Sequence, residues 1–170
     1  MRNEGCLILD EIPQCVDYEN LNEQQSKAVN IIISHYYTCQ DASPLRIIIH
    51  GTIGTSKSYL IGVVSQALQN ASFPKCSPLL LLALTGVAAF NIGASMIHSK
   101  LKIPIKEFTE LQGTRLAHFQ EELSNVKCIL IDEMSFLGER LIQNIDSHLR
   151  QAFPENNHKT FGGMFRISIS

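Results

Sequence analysis

The chain has 170 residues, a formal net charge of −2 and a sequence pI near 6.3. Hydrophobic residues make up 45% and charged residues 18%, an ordinary globular balance that excludes a disordered chain and leaves room for one domain with a proper core. No general basicity points to nucleic acid, so any such contact must be local.

Residues 1–20 show no clear period and read as a leader. Their short apolar stretch at 6–9 is followed by Asp10 and Glu11, unlike a signal peptide. From Leu21-Asn22-Glu23-Gln24-Gln25 a helical pattern opens, with Asn22 as N-cap and Gln25 closing a capping box. Ala28, Val29, Ile32, Ile33 and Tyr36 make its apolar stripe, which Asp41, Ser43 and Pro44 end. Residues 45–50 form a short strand rich in β-branched side chains. Gly51 to Thr55 is a loop, and a helix runs from Lys57 to about Asn70. Pro74, Ser77 and Pro78 break it.

Residues 79–84 are a continuous apolar run that fits a buried parallel strand. The wider apolar stretch, 79–90, is interrupted by Thr85 and Gly86 and is shorter than the roughly 18 residues a membrane span requires, so no membrane partner is expected. A short helix starts in 86–91. Residues 100–106 alternate lysine with apolar residues, like an exposed edge or hairpin arm. Residues 107–123 are weakly helical. A third buried strand, 126–131, ends at Asp132-Glu133. Residues 138–153 form an amphipathic helix with Leu141, Ile142, Ile145 and Leu149 on one face, and Phe161-Gly162-Gly163 is a turn. Residues 165–170 read as a last strand, although Arg166 and Ser168 are poor residues for a central buried one. Strands alternating with helices predict an α/β fold with a parallel sheet. Five cysteines (Cys6, Cys15, Cys39, Cys76, Cys128) without zinc or redox spacing predict reduced thiols of an intracellular protein.

Two segments carry chemistry. Gly51-Thr52-Ile53-Gly54-Thr55-Ser56-Lys57-Ser58 stands between a strand and a helix, the context of a phosphate-binding loop. Small residues let backbone N–H groups approach phosphates, and the helix N-terminus adds a favourable field. Lys57 supplies a mobile cation for the β- and γ-phosphates of ATP, and the Ser58 hydroxyl can ligate Mg²⁺. Ser56 departs from the glycine usual before the lysine; if that position needs positive φ, the strain is about 1 kcal/mol. The structural alternative is a plain Gly/Ser turn. The second segment is the strand end at Asp132-Glu133, which puts two acids at the carboxyl edge of the sheet, where open α/β sheets bind ligands. Asp132 can hold Mg²⁺ and Glu133 can orient or deprotonate the attacking water. The alternative there is a solvated helix cap.

With these segments in place the sequence resembles the Pif-one family of superfamily-one ATP-dependent DNA helicases. Leu21-Asn22-Glu23-Gln24-Gln25 is similar to the family's Q motif, and residues 51–60 to its Walker A. Leu84-Thr85-Gly86-Val87-Ala88-Ala89-Phe90-Asn91-Ile92, with Ile97-His98-Ser99, is similar to its motif Ia region. Ile131-Asp132-Glu133-Met134-Ser135 resembles its Walker B, and Phe161-Gly162-Gly163 the turn before its motif III strand. The resemblance implies a RecA-like P-loop NTPase domain over residues 21–170, with a mainly parallel sheet flanked by helices. It implies Gln25 on adenine, phosphates on Gly51, Thr52, Gly54, Thr55, Ser56, Lys57 and Ser58, and Glu133 and Lys57 as catalytic residues. It also implies single-stranded or forked DNA as partner, with Thr85, Gly86 and His98 on the strand. For His98 a satisfied, partly buried histidine is the open alternative. For Lys100, Lys102 and Lys106 a solvated edge is preferred over phosphate contact.

Roles in DNA repair, recombination and telomere maintenance, in the nucleus or the mitochondrion, are implied by the family alone. The family's Gly-Asp-x-x-Gln motif and second RecA-like domain, with its arginine finger, have no counterpart in these residues. The expectation is therefore a first motor domain, incomplete at its C-terminus. The alternative is a degenerate nucleotide-binding remnant or interaction module without helicase activity.

Overall fold

The structure, a computed structural model, describes residues 18–38, 44–51, 57–72, 75, 77–105 and 109–170. Five strands form one wholly parallel sheet: β1 (Arg46–Ile49), β2 (Leu79–Ala83), β3 (Ser95–Met96), β4 (Cys128–Asp132) and β5 (Phe165–Ile169), in the order β1-β5-β4-β2-β3. The α-helices among the described residues are α1 (Glu23–Thr38), which precedes β1, and α2 (Lys57–Ser72), α3 (Gly86–Ile92), α4 (Ile97–Lys100), α5 (Gly113–Leu123) and α6 (Glu139–Ala152), which lie between strands. The α/β reading of the sequence therefore holds.

Period two sorts each strand between two cores. Cys128 and Leu130 join Phe165, Ile167 and Ile169 in packing against Val29 and Ile32 of α1 and Leu60, Val64 and Leu68 of α2. Ile129 and Ile131 join Leu80 and Leu82 in packing against Phe119 of α5 and Ile145 and Leu149 of α6. Both faces are covered, which is why β2 and β4 are continuous apolar runs. Burying one such side chain contributes roughly 1.5–3 kcal/mol. Burial also pushes the free Cys128 thiol well above its usual pKa; the other four cysteines lie outside the described residues. Among the described residues no helix is long and apolar enough to cross a membrane.

The capping box forms as read. The Asn22 N–H donates to Gln25 Oε1 at 3.0 Å, and the Gln25 N–H to Asn22 Oδ1 at 2.9 Å. The α6 stripe also holds, with Ile145 and Leu149 fully buried.

Two readings are corrected. Residues 100–105 are not an edge strand. Helix α4 ends at Lys100 with Leu101 as its C-cap, Lys102 adopts φ 56°, and the Ile103 N–H returns to the His98 carbonyl at 3.0 Å. This turn buries Leu101 and Ile103 while Lys102 stays exposed, so the alternation is real but its backbone is a left-handed turn. Second, β5 is a central strand despite Arg166 and Ser168. Both lie on the α6 side of β5. Arg166 stacks its guanidinium 4.6 Å from the centroid of Phe161, and the fully buried Ser168 hydroxyl donates to Met134 Sδ at 2.8 Å. Each polar group has a local partner, which removes the usual objection to burying it.

The turn that feeds β5 is tight. Phe161 and Gly162 have φ of 55° and 62°, and the Phe161 N–H donates to Asp146 Oδ1 of α6 at 2.6 Å. A Cβ on Gly162 would lie 2.6 Å from the Leu149 carbonyl oxygen and 2.9 Å from the Phe153 ring. Backbone cannot yield there. Gly162→Ala is therefore expected to destabilise the fold by roughly 3 kcal/mol, combining left-handed strain with overpacking. Chemical denaturation would show it as a lower midpoint; an unchanged midpoint would remove the turn from the parts that secure β5.

Candidate functional site

All five strands point their carboxyl ends at one edge, and the residues following them gather there. After β1 come His50 and Gly51, and α2 opens at Lys57. Thr52, Gly54, Thr55 and Ser56, read as phosphate-loop residues, lie outside the described residues. Gly51 continues the ladder, donating its N–H to the Ser170 carbonyl at 2.9 Å. Lys57 places its Nζ 3.4 Å from the Gly51 carbonyl oxygen. Ser58 follows, exposed, in the first turn of α2.

Across β5 stands the end of β4. Asp132 is half-buried and Glu133 exposed. Burial pushes the Asp132 carboxyl above its usual pKa, and the charge of Glu133 pushes the same way; the Glu133 N–H and the Lys57 ammonium oppose them. Lys57 and Asp132 thus feel each other across the strand between them, although 75 positions part them in the chain. Glu133 sits in the left-handed region at φ 52°, ψ 44°, a conformation that costs a residue with a Cβ about 1–2 kcal/mol.

A half-buried carboxylate flanked by a second acid is a poor resting state and a good cation ligand. Asp132 with the Ser58 hydroxyl suits Mg²⁺, which takes few protein ligands and completes its shell with phosphate oxygens and water. The described residues hold no cluster of three or more His, Cys, Asp or Glu that could form an all-protein metal cage.

The candidate DNA-contacting residues lie further along the same edge. Ala83 of β2 pairs with Met96 of β3, so Thr85 and His98 each follow a paired position by two residues. Thr85 caps α3, its hydroxyl accepting the Ala88 N–H at 3.2 Å. Gly86 is exposed. His98 is half-buried on α4, which α6 anchors: the buried His148 ring holds the Leu101 carbonyl 2.8 Å from its Nδ1. Gln25 stays in its cap at the start of α1, which packs against α2. Lys100 and Lys102 both pair with Glu122, as solvated-edge lysines do, and Lys106 lies outside the described residues.

Sequence reasoning missed His50 and Ser170, whose Nδ1 and Oγ lie 2.7 Å apart beside Gly51. Only the placement of β5 next to β1 brings them together.

The family model for PIF1-like helicase matches residues 20–168. Among curated proteins, an ATP-dependent DNA helicase PIF4 of Trypanosoma brucei brucei is 30% identical over 150 residues, 85% of this chain and 17% of that protein. An ATP-dependent DNA helicase PIF1 of Candida albicans is 29% identical over 168 residues, 86% of this chain and 17% of that protein. The chain thus spans about a sixth of the length of these relatives. Among solved structures, Bacteroides Pif1 helicase in complex with ADP-AlF3 and ssDNA superposes with a TM-score of 0.67 at 24% identity, covering 88% of this chain and 32% of that one. The Candida albicans Pif1 helicase gives 0.64 at 21% identity, with the same coverage. These structural likenesses establish the RecA-like α/β fold.

The Asp132 environment yields a stability test. A carboxyl whose pKa is raised on folding binds its proton more tightly in the folded than in the unfolded state, so its ionisation costs stability at neutral pH. Asp132→Asn is therefore expected to raise Tm at pH 7. The gain should shrink on acidification and vanish below the ordinary aspartate pKa of 3.8. A variant less stable than the native chain at pH 7 would contradict this environment.

Proposed function

The chain belongs to the PIF1-like helicase family, and from that premise we propose that it is the nucleotide-binding motor domain of an ATP-dependent DNA helicase. What carries the reading is the meeting of Lys57 with Asp132-Glu133 at the carboxyl edge, beside Thr85, Gly86 and His98. Lys57 would neutralise the β- and γ-phosphates, with Gly51, Thr52, Gly54, Thr55, Ser56 and Ser58 around them and Gln25 on adenine. Asp132 and Ser58 would hold Mg²⁺, which when bound offsets phosphate charge. Glu133, fixed in its left-handed turn, would orient the attacking water and accept its proton.

Thr85 and the free N–H groups at the start of α3 would hold a phosphate of single-stranded or forked DNA, with His98 beside it. The reading extends to roles in DNA repair, recombination and telomere maintenance in an intracellular compartment, nucleus or mitochondrion. Family membership is its support there.

The test is binding of Mg-ATP to the 170-residue chain, followed with a fluorescent ATP analogue. The native chain should bind. Lys57→Ala should weaken binding at least about tenfold, or roughly 1.4 kcal/mol. Glu133→Gln should leave it nearly unchanged, because that carboxylate acts on water. Failure of both the native chain and Ser56→Gly to bind would sink the ATP site. Binding without any phosphate release on adding single-stranded DNA would favour a nucleotide-binding remnant instead. Release abolished by Lys57→Ala would exclude that remnant.

A further inference from the structure

At the opposite end of the strands lies a groove of about 710 Å³. Its floor is formed where the chain enters the sheet: Pro44 before β1, Pro78 before β2, Lys127 before β4 and Phe165 at the start of β5. Its walls include the last turns of α1 and α2. Lys75, Lys127 and Lys159 line it, and no acidic side chain is among its described lining residues.

The distribution of lysines singles the groove out. Among the described residues, Lys27 pairs with Glu23, Lys100 and Lys102 pair with Glu122, and Lys57 faces the Gly51 carbonyl. The remaining three lysines make no ion pair with a described carboxylate, and all three converge here. Their backbones are tied down: the N–H groups of Lys75, Lys127 and Lys159 donate to the carbonyls of Ser72, Pro78 and Asn156 at 2.8–2.9 Å. The carboxyl ends of three helices, α1, α2 and α5, contribute roughly −0.5 charge each. Three ammonium groups exceed that, leaving about +1.5. His35 adds nothing, since burial lowers its pKa and its Nε2 accepts the Leu45 N–H at 3.2 Å.

The groove also offers rings. Tyr37 is 63% exposed and meets Tyr36 edge-on, with centroids 5.7 Å apart. Asn125 and Asn156 add amides that can donate and accept. Ammonium groups interleaved with an exposed aromatic face are what an unpaired nucleic-acid strand requires: charge for the backbone, stacking for the bases. An acidic peptide would use the charge but not the ring. A volume in the usual range of small-ligand sites, about 300–1,000 Å³, takes a few nucleotides of single strand and not a duplex.

We propose that this groove is a second single-stranded nucleic-acid site, at the end of the sheet opposite Lys57, Thr85 and Asp132. It rests on charge and shape at the amino ends of the strands, independently of what the carboxyl edge binds.

The experiment follows a fluorescein-labelled oligothymidylate by anisotropy across a salt titration of the 170-residue chain. All variants are made on Thr85→Ala/His98→Ala, to silence the other edge, and checked for native circular dichroism. Binding should persist in that background. Adding Lys75→Gln/Lys127→Gln/Lys159→Gln should lower affinity at least tenfold and flatten the slope of log K against log salt by about 2, at ~0.7 per phosphate contact. Tyr37→Ala should cost about tenfold without changing the slope. Unchanged affinity and slope in the lysine variant would overturn the site. So would equal displacement by polyglutamate together with an inert Tyr37→Ala, which would mark a surface for acidic peptides.

Discussion

The candidate site depends on one strand filling one slot. β5 enters the sheet between β1 and β4, so Ile169 faces Ile49 on one side and Asp132 on the other. Adjacent strands lie about 4.8 Å apart, so the inserted strand sets the ends of β1 and β4 roughly 10 Å apart. That is room for a phosphate chain between Lys57 and Asp132. The spacer contributes no chemistry of its own, yet it decides whether the flanking residues frame a site.

Two strained turns follow from that arrangement, and β5 bears on both. Phe161 and Gly162 bend left-handed just before β5, held by Asp146 and by Arg166 over the Phe161 ring. Glu133 bends left-handed just after β4, and the next residue, Met134, receives the Ser168 hydroxyl of β5. The two polar residues that look misplaced in a central strand therefore brace the turns at its two ends. Their cost as β-formers is offset by locking backbone that would otherwise relax.

Local features were legible in the sequence. The Asn22–Gln25 cap, the β2 and β4 runs and the α6 stripe each involve residues within a few positions, and each forms as read. The strand–loop–helix context of Lys57 and the strand end at Asp132 were legible for the same reason. What escaped is non-local or turns on a single dihedral. The slot of β5 depends on strand order, which no period reports. The alternation at 100–105 is equally compatible with a strand and with a turn at Lys102, and only φ 56° distinguishes them. The pairing of His50 with Ser170, 120 positions apart, follows from the slot. The lysines of the amino-end groove were invisible because each stands alone in sequence, far from the other two.

The two ends of the sheet thus meet anions under different rules. At the carboxyl edge a phosphate would arrive beside Asp132 and Glu133, whose charges oppose it, with Lys57 as the described cation there. Binding of a triphosphate at that edge would need a divalent cation to complete the balance. At the amino end the three lysines outweigh the helix ends unaided, so a nucleic-acid backbone bound there would need no metal and would be governed by salt alone. A chain of net charge −2 could therefore meet polyanions at both ends, because its described lysines are sorted: Lys27, Lys100 and Lys102 are neutralised by neighbouring glutamates, Lys57 stands where α2 starts, and Lys75, Lys127 and Lys159 line the amino-end groove. Net charge hides this, since it sums over the very pairs that make the remaining charges local.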